Sequence, residues 1–393
     1  MELSISKKDF LRGLARTHAV ADRKSSMPIL SNVLLSADDS GLLRFAATDL
    51  YLAVSASAEA SIKRAGTVAL SARTLFDIVK NLPEGEVKLA VDKNNAVQLR
   101  SGKIKFRIPG MPGEDFPPLP SAGEGAFAEF DVNLLTQLIS LTQYSMSSDD
   151  TRPHLAGTLF ECDGTTVRMV TTDGHRLSKA EASFETTHKF NILVPQKGIA
   201  ELKRLLEDAK SERRQPNAAE RSTGEREADR GKLSPDGPAT VGVATVGGNA
   251  FFRGHDVQLS VKLADEQFPP YAKVIPQSHS RRVVASRELL VDSLRRISLV
   301  ASDKSGGVRL ALEPGKLEII SENPDIGEGS EELDVDFVGE KVAIGFNARY
   351  LLEALSAMPD DEVVLELGGE LDPGVIKPLS DSRFVGVIMP MRI

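Results

Sequence analysis

The feature that most constrains this chain is that it repeats itself. Thr48-Asp49 follows an alternating strand pattern, and Thr172-Asp173 does the same about 124 positions later. At that same offset Leu75, in Leu70-Ser71-Ala72-Arg73-Thr74-Leu75, is matched by Ile199, in Val194-Pro195-Gln196-Lys197-Gly198-Ile199. Gly345-Phe346-Asn347-Ala348-Arg349-Tyr350 is the third instance. A strand, a capping residue and an amphipathic helix also recur three times. Leu3-Ser4-Ile5 and Ser6 precede Phe10, Leu11 and Leu14; Phe127 to Phe130 and Asp131 precede Leu134, Leu135, Leu138 and Ile139; Val283 to Ala285 and Ser286 precede Leu289, Leu290 and Leu294. A unit of about 125 residues is too long for a solenoid repeat and is of domain size. Each unit is predicted to run strand, helix, three strands, helix, three strands. Two helices on a mostly antiparallel sheet make this an α+β fold.

The expected domains are 1–125, 126–280 and 281–393. Phe116-Pro117-Pro118-Leu119 closes the first, and Phe268-Pro269-Pro270-Tyr271 closes the second. These two motifs lie farther apart than the helices do, so the second unit holds extra residues. From Lys210 to Pro238 the chain is polar and rich in Ser, Glu, Arg, Asn, Gly, Pro and Ala. Such a stretch cannot bury enough surface to offset its ordering entropy, so about 210–238 is expected to be an inserted mobile loop.

With 41% hydrophobic and 26% charged residues the chain has the balance of a globular protein. No apolar run is long enough to cross a bilayer and no signal pattern opens the chain, so a cytoplasmic protein without membrane contact is expected. Cys162 is the only cysteine, which excludes an internal disulfide and a thiolate metal cluster. Its flanks place it at a strand end, where a buried small hydrophobe is expected. The net charge of −8 argues against general adhesion to nucleic acid, and 5% aromatics without Trp argue against a base-stacking platform. Yet the helices carry Lys7, Lys8, Arg12, Arg16, Arg73, Lys80, Lys197, Lys203, Arg204, Arg295, Arg296 and Arg349. Their recurrence in all three units points to one shared positive surface.

The stretch Thr171-Thr172-Asp173-Gly174-His175-Arg176-Leu177 reads as a hairpin turned at Asp173-Gly174. Thr172, Asp173 and His175 could be a nucleophile, an orienting acid and a base. Against this, Asp173 and His175 sit two apart across a turn, and no nucleophile elbow or Walker loop is present. A metal centre would have to be carboxylate-based, and no such spacing stands out. No catalytic residue, metal or cofactor is expected. A three-domain scaffold that binds peptides is a second alternative to an enzyme.

Three two-helix repeats, this hairpin and the ending Val387-Ile388-Met389-Pro390-Met391-Arg392-Ile393 closely resemble the bacterial sliding clamp family, the beta subunit of DNA polymerase III. The likeness runs over the whole chain except the 210–238 insertion. It implies a homodimer joined head to tail in a ring of six similar domains, with helices lining a hole for double-stranded DNA bound without regard to sequence. It also implies the replicative polymerase alpha subunit, the clamp loader, and other polymerases and repair proteins as partners, through short clamp-binding peptides. Carried over by position, their pocket would be Leu155, Thr172, Gly174, His175, Arg176, Leu177, Pro269, Lys273, Val274, Asn347, Tyr350, Val387, Met389, Pro390, Met391 and Arg392. Lys273 stands where the family often has arginine, Ser305 where some members have a bulky apolar residue, and Ile393 where leucine is more usual. For DNA the resemblance points to Lys24, Arg73, Asp149, Pro153, His154 and Lys197. Phe106 and Ile108 would meet Leu299 and Val300 of the other chain. The basic run Arg100 to Lys105 and the acidic Glu331-Glu332 would give the joint complementary ends.

Overall fold

The computed structural model describes residues 1–22, 25–123, 127–149, 151–214, 239–301, 306–381 and 383–392. Lys24, Ser305, Ile393 and the insertion beyond residue 214 lie outside the described residues. Six α-helices occur among the described residues, two per repeat: α1 (Lys7–Thr17), α2 (Ala72–Lys80), α3 (Val132–Thr142), α4 (Gln196–Arg214), α5 (Arg287–Ile297) and α6 (Ala348–Ala357). Each repeat's first helix starts at the expected cap. Ser6 accepts the Asp9 N–H at 3.0 Å, Asp131 the Asn133 N–H at 2.6 Å and Ser286 the Leu289 N–H at 3.4 Å. α4 continues through Arg214, so the polar run expected to leave the fold at Lys210 starts inside a helix.

The expected strand count needs correction. Four strands or more, not three, separate the helices of each repeat, because the lead-in to the second helix is itself a strand: Gly66–Ser71, Phe190–Pro195 and Val342–Asn347. The residues before those caps read as helix entry, but their backbones are fully paired with Asn32–Ala37, Gly157–Cys162 and Gly307–Glu313.

The chain divides into two compact units, Met1–Asn133 with Ala200–Leu263, and Leu134–Ile199 with Ala264–Ile393. The first unit holds a five-stranded sheet ordered Ser61–Arg64, Glu2–Ser6, Glu86–Val91, Val97–Ser101 and Ile104–Ile108. It also holds a nine-stranded sheet in which Leu52–Glu59 of the first repeat pairs antiparallel with Val257–Lys262, the last strand of the second. α1 packs on α2 in this unit, with Phe10, Leu14, Leu75 and Val79 buried.

In the second unit the same join recurs. Arg176–Ser183 of the second repeat pairs antiparallel with Phe384–Ile388, the last strand of the third, within an eight-stranded sheet. A four-stranded sheet runs Gly327–Asp334, Lys316–Asn323, Gly307–Glu313 and Val342–Asn347. α5 packs on α6 through buried residues including Leu290, Leu294, Leu351 and Leu355. Cys162 ends the strand Gly157–Cys162 and is buried, and that burial raises its thiol pKa. Among the described residues no helix is long and apolar enough to cross a membrane.

Candidate functional site

The hairpin tip is built by its own polar side chains. Thr166–Thr172 pairs in register with Arg176–Ser183, and Gly174 sits at φ +91, a left-handed turn position that suits a residue without Cβ. Thr172 Oγ1 donates to the Arg176 carbonyl at 2.6 Å and accepts from the Gly174 N–H at 3.1 Å. One Asp173 oxygen accepts the N–H groups of His175 and Arg176 at 2.9 and 3.1 Å, while the other takes Arg176 Nε at 3.0 Å. The Asp173 carboxylate is thus spent on the turn and on Arg176, not on orienting the His175 ring, and a catalytic dyad does not form.

Arg176 is the centre of the arrangement. It is only 7% exposed. Beyond Asp173 its guanidinium donates to Glu353 on α6 and to the Tyr144 carbonyl at 2.6 Å. It lies 4.4 Å from the Tyr350 ring and 5.4 Å from that of Tyr144, in cation–π range of both. Burial alone would raise the Glu353 carboxyl, but hydrogen bonds from Arg349 and Arg176 hold it below the usual carboxylate range. Burial pushes the Tyr144 hydroxyl up to about 12. Tyr144 and Glu353 were not legible from the sequence, since no local pattern marks them.

The tail completes the wall. Leu177 lies opposite Val387, and the Met389 N–H donates to the His175 carbonyl at 2.8 Å. The Met391 N–H donates to the Gly345 carbonyl at 2.8 Å. His175 and Tyr350 stack at 6.5 Å, and Asn347 caps α6 through the Arg349 and Tyr350 N–H groups. Beneath lies an apolar floor of Leu159, Val170, Leu177, Leu193, Phe268, Val375, Val385 and Val387, with Tyr271 and Ile275 packed against it. Leu155 is buried, Pro269, Pro390 and Met391 are half-buried, and Lys273, Val274, His175, Met389 and Arg392 are exposed. Around Arg176 the expected peptide-site residues are thus brought together within one unit, with Met389 exposed and Met391 half-buried beside them.

The residues read as DNA contacts are less uniform. Arg73 is exposed on α2, with Asp77 at 3.6 Å, and Lys197 is exposed in the first turn of α4. Asp149 binds Arg152 Nε at 2.9 Å and the Thr151 N–H at 3.0 Å, so it shapes its own turn; Pro153 is exposed and His154 half-buried. The expected positive surface is largely neutralised within the chain. Lys7 pairs with Glu84, Arg204 with Glu201, Arg295 with Asp292, Arg296 with Glu331 and Arg349 with Glu353. Arg16 is enclosed, reaching Asp256 at 2.5 Å and Asp208 at 3.3 Å. Glu331 and Glu332, read as an acidic joint, are held by Arg296 and Lys316.

At the first repeat's outer edge, Phe106 is 39% exposed and Ile104 comparably so, while Ile108 is 5% exposed. Most of the Ile108 side chain is therefore covered within its own chain. Leu299 is exposed and Val300 half-buried against the strand Gly327–Asp334.

Models of the DNA polymerase III beta subunit match residues 1–120 (N-terminal domain), 129–214 (central domain) and 272–392 (C-terminal domain). The beta sliding clamp of Caulobacter vibrioides is 31% identical, with all of each chain covered. The crystal structure of the DNA polymerase III subunit beta from Pseudomonas aeruginosa superposes with a TM-score of 0.89 at 27% identity, again over all of both chains. A sliding clamp of Pseudomonas aeruginosa bound to griselimycin superposes with a TM-score of 0.88 at 28% identity and the same coverage. Fold and comparisons together define a DNA sliding clamp, a non-catalytic processivity factor whose class works with DNA and a polymerase. The chain belongs to the DNA polymerase III beta subunit family.

Proposed function

We propose that two copies of this chain, each of domains 1–125, 126–280 and 281–393, close head to tail into a ring around duplex DNA in the cytoplasm. One observation carries this reading. Twice in the chain the third strand after a repeat's first helix pairs with the last strand of the next repeat: Leu52–Glu59 with Val257–Lys262, and Arg176–Ser183 with Phe384–Ile388. The third join lacks its partner within one chain. Gly327–Asp334 holds the equivalent place in the third repeat and edges its sheet, and Ile104–Ile108, the last long strand of the first repeat, edges another. A second copy supplies both missing pairings by the same rule, and closed symmetry follows. Phe106 and Leu299 flank that joint.

DNA would be held by enclosure more than by attraction, because so many helix cations already have carboxylate partners. Lys24, Arg73, Lys197, His154, Asp149 and Pro153 are the proposed contacts. The slot around Leu177, Tyr350 and Met389 would take short peptides of the replicative polymerase alpha subunit, the clamp loader, and other polymerases and repair proteins. The griselimycin-bound relative supports a ligand site on this fold.

Loading on nicked circular DNA tests the reading. The bound protein should survive a salt wash that strips phosphate-held proteins, which lose affinity steeply as counterions return. Cutting the circle should release it from the ends. Equal lifetimes on circular and cut DNA would refute enclosure. Separately, removing Met389 to Ile393 should abolish binding of a glutamine- and leucine-containing clamp-binding peptide and leave the dimer mass unchanged. Peptide binding retained with dimer lost would reverse the two assignments.

A further inference from the structure

The peptide-site hairpin has a double in the other unit. Thr48 Oγ1 donates to the Leu52 carbonyl at 2.7 Å and accepts from the Leu50 N–H at 2.9 Å, as Thr172 does with Arg176 and Gly174. Asp49 accepts the N–H groups of Tyr51 and Leu52 at 2.9 and 2.6 Å, as Asp173 does with His175 and Arg176. The Lys262 N–H donates to the Tyr51 carbonyl at 2.8 Å, the bond that Met389 makes to His175. The scaffold is the same, hydrogen bond for hydrogen bond, but the side chains it presents differ.

Where the second tip has Gly174, the first has Leu50 at φ +74, a left-handed conformation that crowds any Cβ and that glycine would adopt without cost. Leu50 is 52% exposed and Tyr51 66% exposed. Strand pairing sets Tyr51 beside Lys262, Lys262 opposite Asn249, and Asn249 opposite Val246, so these side chains form one row on one face of the sheet end. Val246 is exposed as well. The Lys262 ammonium stands 5.6 Å from the centre of the Tyr51 ring, and no carboxylate among the described residues pairs with it.

We propose that Leu50, Tyr51, Lys262 and Val246 form a second peptide-docking surface on each subunit. Leu50 and the Tyr51 ring would seat a leucine or aromatic side chain, and the lone ammonium asks for an acidic residue beside it. The inference rests on the reading of the Thr172–Leu177 hairpin as part of a peptide site. It differs from that site in chemistry, since a tyrosine and a lysine replace a histidine and a buried arginine, and its occupant is a segment pairing an apolar anchor with a carboxylate.

The test titrates the full-length protein with the acetylated hexapeptide Gln-Ser-Asp-Leu-Phe-Gly by calorimetry and by native mass spectrometry, with the lysine-for-aspartate peptide as control. Two peptides per subunit are expected. Tyr51→Ser and Lys262→Glu should each weaken one of them at least tenfold, with the melting temperature unchanged. Removing Met389 to Ile393 should abolish only the other, and the lysine peptide should fail only at the Tyr51 surface. Saturation at one peptide per subunit, lost on tail removal and untouched by Tyr51→Ser, overturns the proposal. So does a Tyr51→Ser protein whose assembly mass changes while peptide binding does not, which would make the patch a contact between copies. If tail removal changes nothing while Tyr51→Ser removes binding, the tail pocket fails and this surface stands.

Discussion

Replacing Arg176 by alanine is expected to destabilise the protein by about 3 kcal/mol and to abolish peptide binding at the slot beside it. The size follows from what would be left behind. Breaking a buried ion pair from one side costs about 3–5 kcal/mol because the remaining charge keeps its desolvation penalty. Arg176 serves Asp173, Glu353, the Tyr144 carbonyl and the Tyr350 ring together. The Glu353 side chain retains 30% exposure, so the lower end of the range applies. Urea denaturation of Arg176→Ala against the parent measures it, with Arg176→Lys expected to recover only part, since an ammonium cannot fork between two carboxylates and a carbonyl. A loss under about 1 kcal/mol would show that the hub bears little load.

The same cluster sets a pH dependence. The folded-state pKa of Glu353 is depressed below its ordinary 4.5. Its stabilising contribution is therefore complete above the unfolded value and disappears as pH falls through the lower folded one. Acid titration below pH 4.5 should cost the parent more stability than Glu353→Gln, and parallel curves would remove Glu353 from the account.

Local signals in the sequence foretold local structure well. The caps at Ser6, Asp131 and Ser286, the turn at Asp173-Gly174 and the buried end-of-strand Cys162 all involve neighbours within a few positions. What could not be read depends on distant partners. Arg176 looked like one pocket residue among many because its carboxylate Glu353 is 177 positions away, and Arg16 looked like part of a shared positive surface because Asp256 is 240 away. An alternating strand announces two faces, but whether a residue near its end is covered depends on what packs there. The strand that leads into each repeat's second helix was hidden because the residues before a helix cap carry strand and entry signals at once.

Phe106→Asp is expected to turn the dimer into folded monomers. Ile104–Ile108 pairs on one side only, with Val97–Ser101, so its outer backbone groups are an open edge that another strand can complete. Phe106 is the large apolar side chain that edge exposes most. An aspartate there would be buried against Leu299 of the other copy without a cation to meet it, at a cost of several kcal/mol. Because the joint occurs twice in a closed dimer, the penalty is paid at both. Native mass should fall from twice 42.4 kDa to 42.4 kDa, with the melting transition still cooperative because the substituted side chain is not in the monomer's core. Leu299→Asp, on the opposite face of the joint, should give the same result. The monomers should bind the clamp-binding peptide normally, since the slot lies within one chain, yet be lost from nicked circular DNA in the salt wash. A Phe106→Asp protein that stays dimeric would place the joint elsewhere, and monomers that still survive the wash would show that retention on DNA does not need the ring.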